Sequence, residues 1–168
     1  MINSSNSLDS TDRKRYMDKR LTDLKETNYK GLTSYQQSKI EELANTILEG
    51  NNNITNESKI TKFHDWIVDN YYYYEYPNRL STLKNFGNIY DNPYYLLTYE
   101  YKDTGKIRAR SNGYASMLVA LARTQGIPAR TVGGFYNKNI DINYQIWSKY
   151  INQTFVEVFI NNNWIVID

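Results

Sequence analysis

Few side chains in this sequence can carry covalent or metal chemistry. The chain has 168 residues, no cysteine and one histidine, His64. Without cysteine there is no disulfide framework, no thiolate ligand for zinc and no thiol nucleophile. With a single histidine there is no multi-histidine metal site, so no cofactor is expected. His64 has two readings, a catalytic base or a packing residue at the edge of a core. It lies four residues after Ile60 and four before Val68, beside an apolar helical stripe. The packing reading is preferred, with the ring against the buried side of its helix. Lys106, Arg108 and Arg110 alternate along the chain, so an extended backbone puts all three on one face. They would stand beside the start of the next helix, where backbone N–H groups favour anions. That face is a candidate ligand-binding surface; the plainer alternative is a charged edge strand. The tyrosines between Tyr71 and Tyr101 are a candidate stacking surface, although a Tyr- and Asn-rich composition also follows from A/T-rich codons.

The bulk composition narrows the field further. Hydrophobic residues make 40% and charged residues 23%, ordinary globular values that exclude a wholly disordered chain. At this length one domain can bury its own core. A net charge of +2 provides no field that argues for nucleic acid or an anionic membrane, so no nucleic-acid partner is expected. No run of 18 apolar residues exists, so no transmembrane segment is expected. Residues 1–10 are polar and lack an apolar core, so no signal peptide is expected within the chain as given.

The positioning elements follow from periodicity. Residues 1–10 read as a disordered tail, and Thr11 to about Thr27 as a weak helix with Met17, Leu21 and Leu24 as its stripe. Ser34 to Glu49 reads as a stronger helix, with Thr33 or Ser34 as cap, Ile40, Leu43, Ala44, Ile47 and Leu48 inward, and Gly50 beyond its end. A third helix spans Asn56 to Asp69, with Ile60, Phe63, Ile67 and Val68 inward. Residues 75–105 read as a long irregular connection. Ser111 to Gln125 is apolar nearly all round, as a buried core helix must be, and Gly126 and Pro128 stop it. Ser111 is well suited to cap that helix. Strands follow at Ala129–Tyr136, Gln153–Ile160 and Trp164–Asp168, the last two joined through Asn161, Asn162 and Asn163. Helices first and strands last describe an α+β domain with a buried helix on an antiparallel sheet.

Two blocks, SNGYASMLVALARTQGIPARTVGGF at Ser111–Phe135 and QTFVEVFINNNWIVID at Gln153–Asp168, resemble the transglutaminase-like family. In that family a Cys opens the buried helix in a run like C-x-G-Y-A, and G-I-P-A-R follows it. A block like H-A-W-x-E-V then leads through a hairpin to W-x-x-x-D. DWIVDN at Asp65–Asn70 is similar to the family's preceding helix. The resemblance covers roughly residues 57–168, leaving 1–10 as a tail and 11–56 as an N-terminal helical segment. It implies a papain-like α+β fold and a Cys-His-Asp site. Position by position, the nucleophile slot falls on Ser111, the base slot on Gln153 and the third slot on Asp168.

Only Asp168 is the residue type the family's chemistry needs. A serine hydroxyl requires a positioned base, and the Gln153 amide is no base near neutral pH. The expectation is a pseudoenzyme: a domain that has lost cysteine catalysis and binds a peptide, protein or cell-wall polymer in the former active-site cleft. The alternative is an active amide acyltransferase or hydrolase, using Ser111 or being a Cys-to-Ser variant of a cysteine enzyme. The resemblance also implies a bacterial, extracytoplasmic setting, secreted or at the cell surface. His64 is expected to stand well away from Ser111. A two-residue turn on Asn161-Asn162 would pair Ile160 with Asn163 and set Asp168 opposite Phe155, on the sheet face of Gln153.

Overall fold

The computed structural model describes residues 21–26, 31–51, 53–73, 92–98, 105–134 and 153–167. Its elements are α1 (Ser34–Ile47), α2 (Asn56–Asn70), β1 (Tyr71–Tyr73), α3 (Pro93–Thr98), β2 (Ile107–Ala109), α4 (Ser111–Thr124), β3 (Ala129–Gly134), β4 (Gln153–Ile160) and β5 (Asn163–Ile167). Residues 21–23 are helical and fall within the span of the expected first helix, of which residues 11–20 and 27 lie outside the described residues. The expected tail, the strand end at Phe135–Tyr136 and Asp168 lie outside the described residues.

Local chemistry sets the ends of the helices. Thr33 caps α1 in a reciprocal box: its Oγ1 accepts from the Gln36 N–H at 3.3 Å, and the Gln36 side chain accepts from the Thr33 N–H at 3.0 Å. Such a box satisfies two donors that a helix start otherwise leaves open. Thr55 caps α2 by accepting from the Ser58 N–H at 3.2 Å. At the end of α4, Ile127 N–H reaches the Ala122 carbonyl at 3.1 Å and Gly126 N–H reaches that of Arg123 at 3.0 Å. This is a Schellman closure, and it requires the left-handed backbone that Gly126 adopts at φ 69°.

Helix α4 is the axis of the core. Nine of its residues are buried, among them Met117, Leu118, Val119 and Leu121. Gly113, Ala115, Ser116, Ala120 and Ala122 interleave with them as small residues, so neighbouring elements approach closely. It packs against α1, α2, α3, β3 and β4. From α1 and its C-cap come Ile40, Ala44 and Leu48, and from α2 come Ile60, Phe63 and Ile67. The sheet order is β3-β4-β5, antiparallel throughout, with Val156, Val158 and Ile160 of β4 buried. On the opposite face Glu157 stands across from Arg130, and the two side chains pair at 2.6 Å. The Arg130 guanidinium also lies 4.3 Å from the centre of the Trp164 ring, a cation–π contact.

The hairpin turns on two residues, as expected. Ile160 pairs with Asn163 and Val156 with Ile167. Asn161 and Asn162 have φ of 51° and 63°, and Asn is one of the few residues that tolerates that region. The Asn161 side-chain amide also donates to Glu57 in the first turn of α2, so the hairpin is tied to the helix that faces the cleft.

Three expectations need correction. Ser111 does not cap α4: Arg110 is the capping residue and makes no side-chain cap bond. The extended backbone of β2 runs through Arg110 and turns helical at Ser111, which frees the serine hydroxyl for another partner. Val68 is not inward but 53% exposed. At about 100° per residue, it lies on the far side of Ile60 from Phe63, and the buried face instead takes in Lys59. The connection from 75 to 105 is not wholly irregular, since α3 forms at Pro93–Thr98. The Asn92 side chain accepts there from the Tyr94 N–H at 3.0 Å, and Leu96 is buried. Beside it β1 and β2 form a parallel pair, Tyr71 with Ile107 through Tyr73 with Ala109, which periodicity alone had not marked.

Two consequences are measurable. Phe63 is fully buried, so Phe63→Ala should cost about 3–5 kcal/mol in urea unfolding. Val68→Ala, one turn on, should stay within about 0.5 kcal/mol, as exposed substitutions do. Tyr71 is buried, and its hydroxyl has no hydrogen-bond partner among the described residues. Burial pushes its phenol well above the usual value of 10.0, and Tyr114 beside it adds to the effect. A raised folded pKa favours the neutral form, so this contribution is complete below about pH 10 and declines as pH climbs toward the folded value. Tyr71→Phe should leave stability at pH 7 unchanged or raise it by about 1–2 kcal/mol. It should also flatten the alkaline decline in unfolding curves taken at successive pH values.

Candidate functional site

The site begins where α4 starts. Because α4 is held on nearly all sides, its first turn is fixed against the first residues of β4. There the Thr154 backbone N–H donates to Ser111 Oγ at 3.3 Å. The hydroxyl freed from capping thus joins the central helix to the sheet. Gln153, one residue earlier, pairs with Gly134 at the end of the β3–β4 ladder.

A cleft of about 280 Å³ opens at this junction. Its polar side chains are Ser111, Gln153, Thr154 and His64. Ile67, Val68, Ala115, Leu118, Val156 and Ile167 make its apolar surface, and Tyr73 and Tyr114 its aromatic one. Ligand pockets commonly run from about 300 to 1,000 Å³, so this cleft lies at the small end of that range. Tyr73 and Tyr114 have ring centres 6.4 Å apart, and Tyr114 also meets Tyr71 edge-on at 5.1 Å. Burial, and then the neighbouring Tyr73, raises the Tyr114 pKa. Tyr114 is therefore a neutral phenol at ordinary pH and no proton acceptor.

Ser111 and Gln153, the expected nucleophile and base positions, are brought together as walls of this one cleft. Asp168 lies outside the described residues. Of the three expected cations only Arg108 lies within β2, between the buried Ile107 and Ala109, while Lys106 and Arg110 flank the strand. None of the three is among the residues lining the cleft.

His64 is placed differently from expectation. It lines the same cleft as Ser111 rather than standing far from it. Its side chain is 40% exposed, and Nδ1 lies 3.1 Å from Asp65 Oδ1. An ionised carboxylate only accepts, so Nδ1 is the donor in this contact, an arrangement that in the neutral ring leaves Nε2 as an acceptor. No hydrogen bond joins His64 to Ser111 among the described residues. The signal for the placement was present: His64 and Val68 are four apart and share a helix face, offset from the buried Ile60–Phe63–Ile67 stripe. Tyr73 is one of the candidate stacking tyrosines and Tyr114 is the tyrosine of the C-x-G-Y-A-like run, but sequence reasoning did not place either in this cleft, and it missed the Thr154 donor, which no linear motif marks.

Among the described residues no group of three or more His, Asp or Glu could hold a metal ion. No helix among them is long and apolar enough to cross a membrane. Chemically, the cleft offers a hydroxyl, an amide and an imidazole beside apolar side chains.

No curated protein and no solved structure matches the chain. The sequence profile of the transglutaminase-like superfamily matches residues 41–168, from within α1 to the last residue. With helices packed on an antiparallel sheet and the cleft at the start of α4, the chain belongs to the transglutaminase-like superfamily.

Proposed function

We propose that this transglutaminase-like domain has lost cysteine catalysis and works as a binding module, taking a peptide, protein or cell-wall ligand in the cleft at the start of α4. One observation carries the reading: the polar groups meeting there from α4 and β4 are a hydroxyl and an amide. A cysteine at a helix start is activated because the positive helix end stabilises its thiolate. A serine hydroxyl is far less acidic and gains little from the same position. Without a base to take its proton it is a hydrogen-bonding group, and Ser111 already accepts from Thr154. The Gln153 amide can orient a ligand but cannot carry a proton between nucleophile and leaving group. The rival, an acyltransferase or hydrolase built on Ser111, requires a base in contact with that hydroxyl. The described hydrogen bonds contain none.

Two measurements test this. The native chain should show no turnover of a glutamine-donor peptide, and Ser111→Cys alone should give a thiol of modest reactivity. Ser111→Cys with Gln153→His should produce a low-pKa thiol, seen as an alkylation rate that persists to acid pH. The gain should far exceed the sum of the single changes, because such residues act as a unit. Native turnover abolished by Ser111→Ala would end the lost-chemistry reading. Binding is tested by titrating the native protein with capped dipeptides and cell-wall peptide fragments. Val68→Arg, which crowds the cleft from an exposed position, should weaken capture at least about tenfold. Unchanged capture would mean that the ligand sits elsewhere.

A further inference from the structure

The cleft has two polar sides and an apolar floor, and their hydrogen-bonding capacities differ in a way that selects a ligand. On α2, the Asp65 carboxylate lies against Nδ1 of His64, a contact that favours the neutral tautomer protonated there, with Nε2 as an acceptor. On β4, Gln153 offers a side-chain amide, which both donates and accepts. Leu118 and Val156, both buried, and Tyr114 line the same cleft. Val68, next to His64 on the cleft face, is 53% exposed and is free to be covered.

We infer that His64 is the specificity-determining residue of the cleft, its Nε2 accepting a backbone N–H from a peptide whose neighbouring large apolar side chain fills the floor. The inference rests on the binding reading above and deepens it by naming the ligand class. A peptide amide is the group that meets both polar sides: its N–H faces an acceptor at His64, and its carbonyl faces a donor at Gln153. The apolar surface below is matched by a branched or aromatic side chain, which gains by leaving water. A glycan would bring many hydroxyls to a surface with few partners for them, and unpaired polar groups are costly to bury. A strongly charged segment would meet no fixed charge among the described lining residues. Asp65 acts through His64, fixing the ring tautomer rather than touching the ligand.

The test uses the full chain and synthetic probes: N-acetyl dipeptide amides with Leu, Phe, Glu or Lys as the side chain, their ester analogues lacking the N–H, and a muramic acid oligosaccharide without peptide. Dissociation constants come from titration followed by NMR. The Leu and Phe amides should bind at least about tenfold more tightly than the Glu and Lys amides, in keeping with burial of one large side chain. Replacing amide by ester should cost about 3–10-fold, the value of one hydrogen bond. His64→Ala should abolish that amide–ester difference while Leu and Phe remain preferred, and Asp65→Asn should shrink it. Amide and ester bound equally by the native chain would overturn the role of His64 while leaving the binding reading intact. Tighter binding of the charged peptides or of the oligosaccharide would overturn the ligand class. Failure of every peptide to bind would overturn both this inference and the binding reading.

Discussion

Burial of α4 is the constraint from which the other features follow. A helix apolar on nearly every face has no stable position at a surface, so the remaining elements must enclose it. α1 with its C-cap, and α2, contribute Ile40, Leu48, Phe63 and Ile67, and the sheet contributes Val156 and Val158. Alanine, serine and glycine along α4 set how closely these can approach. The Schellman closure at Gly126 ends the helix sharply enough for β3 to turn back along it. With the helix and the sheet so fixed, the first turn of α4 meets the first residues of β4, and Ser111 comes within hydrogen-bond reach of Thr154. The cleft is a by-product of that meeting. Nothing in it would survive a shift of α4 by one turn, a displacement of about 5.4 Å.

On the proposed reading, the same geometry explains why the residue types at Ser111 and Gln153 matter so much. A buried helix start beside a strand is an electrostatic device suited to an anion. It is useful to a thiolate, which forms readily, and nearly useless to a serine hydroxyl, which does not. On the proposed reading the scaffold keeps its shape because the core maintains it, independently of the chemistry at its rim. Ser111 retains a structural role by bridging helix and sheet. The cleft, released from proton transfer, is left to recognition, and His64 enters it from α2, outside the two blocks that carry the family likeness.

Sequence periodicity revealed most of the fold because the elements obey simple rules. The capping signal at Thr33, the all-round apolar run from Ser111, the Gly126–Pro128 stop and the positive-φ asparagines each have one strong local cause. What it missed depends on long-range placement. Val68 reads as inward because it is apolar and close to the stripe, but its angle round α2 turns it to the cleft. Ser111 reads as a cap because serine favours that role, but β2 carries the extended backbone one residue earlier and gives the cap to Arg110. The β1–β2 pair was not legible because three residues give too short a period and a parallel partner lies more than thirty residues away. Ser111 and Gln153, each at the edge of a motif block, line one cleft, whereas the approach of His64 depends on how α2 packs across α4. No local rule encodes that.

The central claim is that Ser111 lies in a ligand cleft without being a nucleophile. The most direct measurement is the intact mass of the native chain after prolonged incubation with a serine-reactive fluorophosphonate, with Ser111→Ala as reference. The account predicts no adduct on either protein at neutral pH. A single stoichiometric adduct on the native chain, mapped to Ser111 and absent from the variant, would contradict it.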